Sequence, residues 1–291
     1  LEESLAVVEL NPRSVAIMRM LAGDRADRYI GEIWLPSLAA ATRAQSATLK
    51  DIRAAFSNPY TCLLAFFQHY AFSRRGKDRD DLAYMAVQAL KRTTAEDQIE
   101  TLLAEPDGSR VWGAFEAVCA ERKRKNSEQL NRGLIAGMVE LAQEIYRLDN
   151  IGSIAGWIVR GVMQTDRLEP QFLRIVDIRG VGPKTTSTLL RDVCHLYSLE
   201  DQVDHADRLF VQPVDRWLRM AAEEIVPELD DRDAVDWIVA GKIAKYTRHA
   251  GVSGIRFNMG TTYFGVREVH DAARWDECVE NLLRPGNPAR V

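Results

Sequence analysis

The segment Ile178-Arg179-Gly180-Val181-Gly182-Pro183-Lys184-Thr185-Thr186 carries the sharpest chemical signal in this 291-residue chain. Two glycines separated by one residue can take positive φ and turn the chain tightly between two helices. The spacing predicts a helix over Phe172–Asp177 before the turn and another over Pro183–Tyr197 after it. Pro183 sits where a first-turn proline is allowed, because that N–H needs no intrahelical partner. Such a turn presents backbone N–H groups at a helix N-terminus, a natural phosphate site. Arg179 and Lys184 add positive charge, and amides plus a basic side chain hold phosphate without reading sequence. A lone GxG would be no more than a connector. GxGPKT between two helices, with apolar Ile178 and Val181, is considerably more specific.

The elements that position this segment read as helices throughout. Asn11-Pro12 and Asn58-Pro59 each pair an N-cap with a first-turn proline. The first opens a stripe of Val15, Ile17, Met18 and Leu21. The second opens Tyr60–Phe72, apolar nearly all round, as a central buried helix should be. Helical spacing continues in Leu82–Leu90, in Ala95–Leu103 capped by Thr94, and in Val111–Cys119, Leu130–Tyr146 and Ile154–Met163. Arg216–Ile225, Ala234–His249 and Trp275–Leu283 complete the set. Strand signals are scarce, with Leu209–Gln212 and Ile255–Phe257 the only candidates, and Phe257–Gly260 and Tyr263–Gly265 read as aromatic loops. The expected fold is all-α and two-lobed, with short loops. Breaks between lobes are expected at Glu105–Arg110 and Leu148–Ser153. The expected divisions are a helical lobe over 1–150, the glycine-turn lobe over 151–225, and C-terminal helices over 226–291 that pack back on the body.

The glycine turn resembles the helix–hairpin–helix element of the base-excision DNA glycosylases, the endonuclease III and 8-oxoguanine glycosylase superfamily. That pattern runs leucine-proline-glycine-valine-glycine, any residue, then lysine, threonine or valine, and alanine. Here Arg179 replaces the proline and Thr186 the alanine. In bifunctional members the hairpin lysine is the nucleophile, a position that falls on Lys184. The family also places an aspartate, usually after valine, at the start of a following helix. Pro213-Val214-Asp215 followed by Arg216-Trp217-Leu218 fits that description. Lys184 to Asp215 spans 31 residues, whereas the family's gap is near twenty, and Asp204 in Val203-Asp204-His205 is a rival at 20. Asp215 is preferred because Leu218, Met220 and Ala221 continue an apolar helix face, while Ala206-Asp207-Arg208 breaks one. A fainter likeness covers Asn58-Pro59-Tyr60 and the apolar run that would end at Gln68. The resemblance is strong over about fifty residues, Glu169 to Met220. The family's C-terminal four-cysteine iron–sulfur loop is absent, since only Cys278 lies in that region.

The resemblance implies a DNA glycosylase that removes a damaged or modified base from double-stranded DNA, with lyase activity at abasic sites and no cofactor. Lys184 would attack the sugar as a free amine and form a Schiff base. A first-turn lysine faces the positive end of the helix macrodipole, which disfavours ammonium, and the same end favours an ionised Asp215. The carboxylate would stabilise positive charge growing on the sugar as the base leaves. The target base must be flipped out of the stack. Phosphate contacts are expected from Arg179, Gly180, Val181, Gly182, Pro183 and Thr185. Glu121–Lys125 and the set Arg74, Arg75, Lys77 and Arg79 are further basic patches. Two rival readings are a non-enzymatic DNA-binding module and a monofunctional glycosylase that activates water through Asp215.

Composition bounds these readings. Lys plus Arg is 38 against 42 Asp plus Glu, a formal charge of −4, which argues against a basic nucleic-acid coat protein. Locally, Arg174, Arg179, Lys184 and Arg191 outweigh Asp177, so an acidic body carries a basic element. No apolar run reaches the roughly 18 residues of a membrane span, and Leu1-Glu2-Glu3-Ser4 carries no signal-peptide pattern. Cys62, Cys119, Cys194 and Cys278 lie far apart without a CxxC, as expected of reduced, mostly buried thiols in a cytoplasmic protein; a monomer is expected. His69, His195, His205, His249 and His270 show no metal-ligand spacing.

Overall fold

A computed structural model describes residues 10–72, 78–150, 152–229 and 234–284, which are helical throughout with no strand among them. In chain order the helices are α1 (Pro12–Met20), α2 (Ala26–Arg28), α3 (Leu35–Thr42), α4 (Leu49–Ser57), α5 (Pro59–Ala65), α6 (Arg79–Thr93), α7 (Ile99–Leu103) and α8 (Ser109–Glu121). They continue with α9 (Glu128–Asp149), α10 (Ile154–Thr165), α11 (Glu169–Val176), α12 (Pro183–Tyr197), α13 (Arg216–Ile225), α14 (Asp236–His249), α15 (Gly254–Tyr263) and α16 (Trp275–Leu283). Both Asn-Pro signals open helices as predicted. Asn11 Oδ1 accepts from the Arg13 N–H at 2.9 Å, and Asn58 Oδ1 accepts from Tyr60 and Thr61 at 2.8 and 3.3 Å.

The chain forms two compact units, one of residues 34–203 and one combining 1–33 with 204–291. Divisions at 150 and 225 are expected from the sequence; the packing divides the chain near 33 and 203. The reason is long-range burial that periodicity does not encode. In the second unit Ile17, Met18 and Leu21 of the N-terminal stripe share a core with Trp217, Leu218, Phe257 and Trp275. In the first unit α5 is buried on every side from Tyr60 to Ala65, as its apolar run predicts. Cys62, Cys119 and Cys194 are free and buried, and Cys278 is free and half-buried.

Three local expectations are corrected. Leu209–Val211 belong to a 3₁₀ turn (Asp207–Val211), and Ile255–Phe257 lie in α15, so neither candidate strand exists. The segments read as aromatic loops are buried helix and a π turn (Phe264–Val269). Their glycines serve close approach rather than turning: a Cβ on Gly260 would fall 1.7 Å from the Leu21 carbonyl, and one on Gly265 would meet the Trp217 ring at 2.2 Å. Thr94 ends α6 instead of opening the next helix, because its N–H donates to the Leu90 carbonyl at 3.0 Å.

Candidate functional site

The glycine turn is built within residues 34–203. After α11 the Ile178 N–H reaches the Ile175 carbonyl at 3.1 Å, and the Val181 N–H reaches the Ile178 carbonyl at 2.9 Å. Gly180 has φ +95°, and a Cβ there would stand 3.0 Å from the Leu130 carbonyl. Both facts demand glycine. Gly182 is extended and caps α12, with Pro183 first in the helix and Lys184 second. Ile178 and Val181 are buried anchors. Thr186, where the hairpin pattern has alanine, is fully buried, and its hydroxyl donates to the Gly182 carbonyl at 3.2 Å. The extra oxygen is therefore satisfied inside the helix. Arg179, Gly180 and Pro183 are exposed, Gly182 and Lys184 half-buried, Val181 and Thr185 buried.

A pair of glycines that the sequence reading passes over seats this turn. Gly133 and Gly137 are one helical turn apart on α9. A Cβ on Gly133 would meet the Arg179 Cβ at 2.7 Å, and one on Gly137 would meet the Ile178 Cγ2 at 2.7 Å. Glycine is unfavourable inside a helix, so two at i and i+4 signal a close approach. An open hollow of about 430 Å³ borders the contact, lined among others by Arg132, Gly133, Gly137, Glu140 and Arg179.

The basic element is thinner than the sequence count suggests. Arg191 and Asp192 are 3% and 1% exposed, and Arg191 Nη2 lies 2.7 Å from Asp192 Oδ1. The second Asp192 oxygen accepts from the buried Tyr70 hydroxyl at 3.0 Å. Burial and the adjacent carboxylate push the Tyr70 phenol well above its usual range. Arg174 is paired with Glu144 at 2.5 Å. Of the other two basic residues, Arg179 is exposed and Lys184 half-buried.

Asp215 heads a helix, as its sequence context predicts. Its Oδ1 accepts from the Trp217 and Leu218 N–H groups, both at 3.0 Å, and it is half-buried. Trp217, Leu218 and Ala221 form the buried face of α13. Asp204 is exposed, accepts from the Ala206 N–H at 2.8 Å, and is followed only by a 3₁₀ turn. Lys184 belongs to the unit of residues 34–203; Asp215 and Asp204 belong to the other. Gln68 is exposed in a π turn (Phe66–Tyr70) that prolongs the central helix. Arg74, Arg75 and Lys77 lie outside the described residues. Among the described residues no group of His, Cys, Asp and Glu gathers as a metal site, and no helix is long and apolar enough to cross a membrane.

Compared with known proteins, the chain matches no family model, and no curated protein or solved structure matches it at a significant level.

Proposed function

We propose that the protein grips duplex DNA through the α11–α12 turn and excises a damaged or modified base, with Lys184 as the nucleophile and Asp215 as its electrostatic partner. One observation carries this reading: a glycine-only turn at Gly180, locked onto α9, sets Lys184 in the first turn of α12 beside exposed Arg179. The chemistry needs the neutral amine. Its lone pair forms a bond to the sugar C1′ while the C1′–N bond to the base breaks, and the bonding pair leaves with the base. The nitrogen loses a proton and the sugar ring opens, giving an imine. A carboxylate at Asp215 offsets the positive charge on the sugar during this step. The imine acidifies the neighbouring C2′–H, and loss of that proton expels the 3′ phosphate and cuts the strand.

The test is a panel of duplexes, each with one altered base, assayed for base release and strand cleavage. Cleavage of one member is expected, abolished by Lys184→Gln and slowed by Asp215→Asn. Inactivity on every member and on an abasic duplex contradicts the reading. A second reading, a DNA-binding module without chemistry, is favoured by one fact: the turn and its glycine seat lie wholly within residues 34–203. Grip on DNA then needs nothing from Asp215, and Asp215→Asn leaves binding intact.

A further inference from the structure

The basic run that follows α8, residues 122–125, has a defined shape. The Lys123 N–H donates to the Ala120 carbonyl at 3.0 Å and the Arg124 N–H to the Cys119 carbonyl at 2.9 Å. Asn126 Nδ2 donates to Glu116 at 2.9 Å, and the fully buried Asn131 donates to the Asn126 carbonyl at 2.8 Å. Lys123 and Ser127 are left-handed, with φ of +52° and +48°. Non-glycine residues are disfavoured there, and these bonds hold the loop in that conformation.

The charges of this loop are sorted. The Arg122 guanidinium covers the Tyr84 ring at 4.1 Å, and Arg124 pairs with Asp81. Glu121 is held by Arg92 at 2.6 Å, and Glu128 by Arg132 at 2.9 Å. Asp78 and Glu116 border the hollows beside the loop. Lys123 and Lys125 are exposed, and neither has an ion-pair partner among the described residues. The loop runs directly into α9, whose Leu130 carbonyl is the atom that abuts Gly180. Lys125 precedes Leu130 by five residues. The loop and the glycine turn therefore share one end of α9.

We infer that Lys123 and Lys125 extend the surface of the glycine turn and hold further phosphates of the same duplex. This rests on the DNA reading above. Lysine is a hydrated point charge suited to phosphate rather than to base edges, so the loop adds affinity and register without sequence preference.

The experiment is fluorescence anisotropy of an undamaged duplex titrated with the full-length protein across a salt series. Wild type is compared with K123A/K125A, R179A and K50A/K245A, the last removing two exposed lysines elsewhere. For K123A/K125A the slope of log K against log salt is expected to shrink by about 1.8, with affinity down about tenfold near 100 mM salt. K50A/K245A is expected to match wild type. If R179A weakens binding while K123A/K125A behaves as wild type, or if both lysine pairs weaken it equally, the loop inference fails and the DNA reading stands. If wild type binds no duplex, both fail.

Discussion

The two ends of α12 use charge in opposite ways. At its N-terminus Lys184 lies beside the glycine turn near exposed Arg179, held by backbone geometry and small residues. Toward its C-terminus Arg191 and Asp192 are buried against each other, with Tyr70 completing the carboxylate's shell. Identical residue types are thus committed outward at one end and consumed inward at the other. A charge count along the sequence cannot separate them, because the buried pair meets Tyr70, in a π turn more than a hundred residues upstream. The buried pair is expected to govern stability and the exposed turn to govern partner binding.

Removing one partner of the buried pair is the strongest way to break that contrast. Asp192→Ala removes the carboxylate that both the buried Arg191 guanidinium and the Tyr70 hydroxyl face, and is expected to cost about 3–5 kcal/mol in chemical denaturation. Substitution of both residues by apolar ones is expected to cost far less, since a buried pair adds little net stability over well-packed hydrophobes. Tyr70→Phe removes one hydrogen bond to a buried carboxylate, and a loss of about 1.5–3 kcal/mol is expected by the same measurement.

At the other end, Gly180→Ala must place a Cβ in a left-handed position against the Leu130 carbonyl. A stability loss of about 1–2 kcal/mol is expected, with duplex affinity falling more than that loss explains. Equal binding by this variant would show that the turn is only a connector.

His69 gives a pH signature of the buried end. Its ring packs edge-on to Tyr70 at 4.7 Å, and Ser37 Oγ lies 3.2 Å from Nδ1. Burial lowers its pKa from 6.5 to about 4; Asp192 opposes this shift, and Arg79 and Arg191 reinforce it. The depressed group is neutral when folded and takes up a proton when unfolded. Its contribution is present above about pH 6.5 and is lost as pH falls toward 4. His69→Gln is expected to flatten the stability profile in that window, by an amount smaller than the Asp192 effect.

Much of the helical plan was legible because it is local. Asn-Pro pairs fixed the starts of α1 and α5, and periodicity alone bounded α13 and α16 at Arg216–Ile225 and Trp275–Leu283. The Gly180 turn was legible for the same reason: its two glycines and proline act on neighbouring backbone. What escaped depends on distant partners. Gly133 and Gly137 look like ordinary small residues until Ile178 and Arg179 are seen against them. Gly260 and Gly265 suggested loops because glycine at a helix crossing and glycine in a turn are the same letter. The joining of residues 1–33 with 204–291 is a contact of sequence extremes, beyond any local period.

A covalent bond between the Lys184 amine and a DNA sugar would set the proposed enzyme apart from a binding module. Borohydride trapping on a duplex with one abasic site, followed by peptide mapping of the adduct, tests it directly. The expected result is an adduct on the peptide carrying Lys184, absent from Lys184→Gln under conditions where circular dichroism shows that variant folded. No adduct from wild type, or an equal yield from Lys184→Gln, would contradict it.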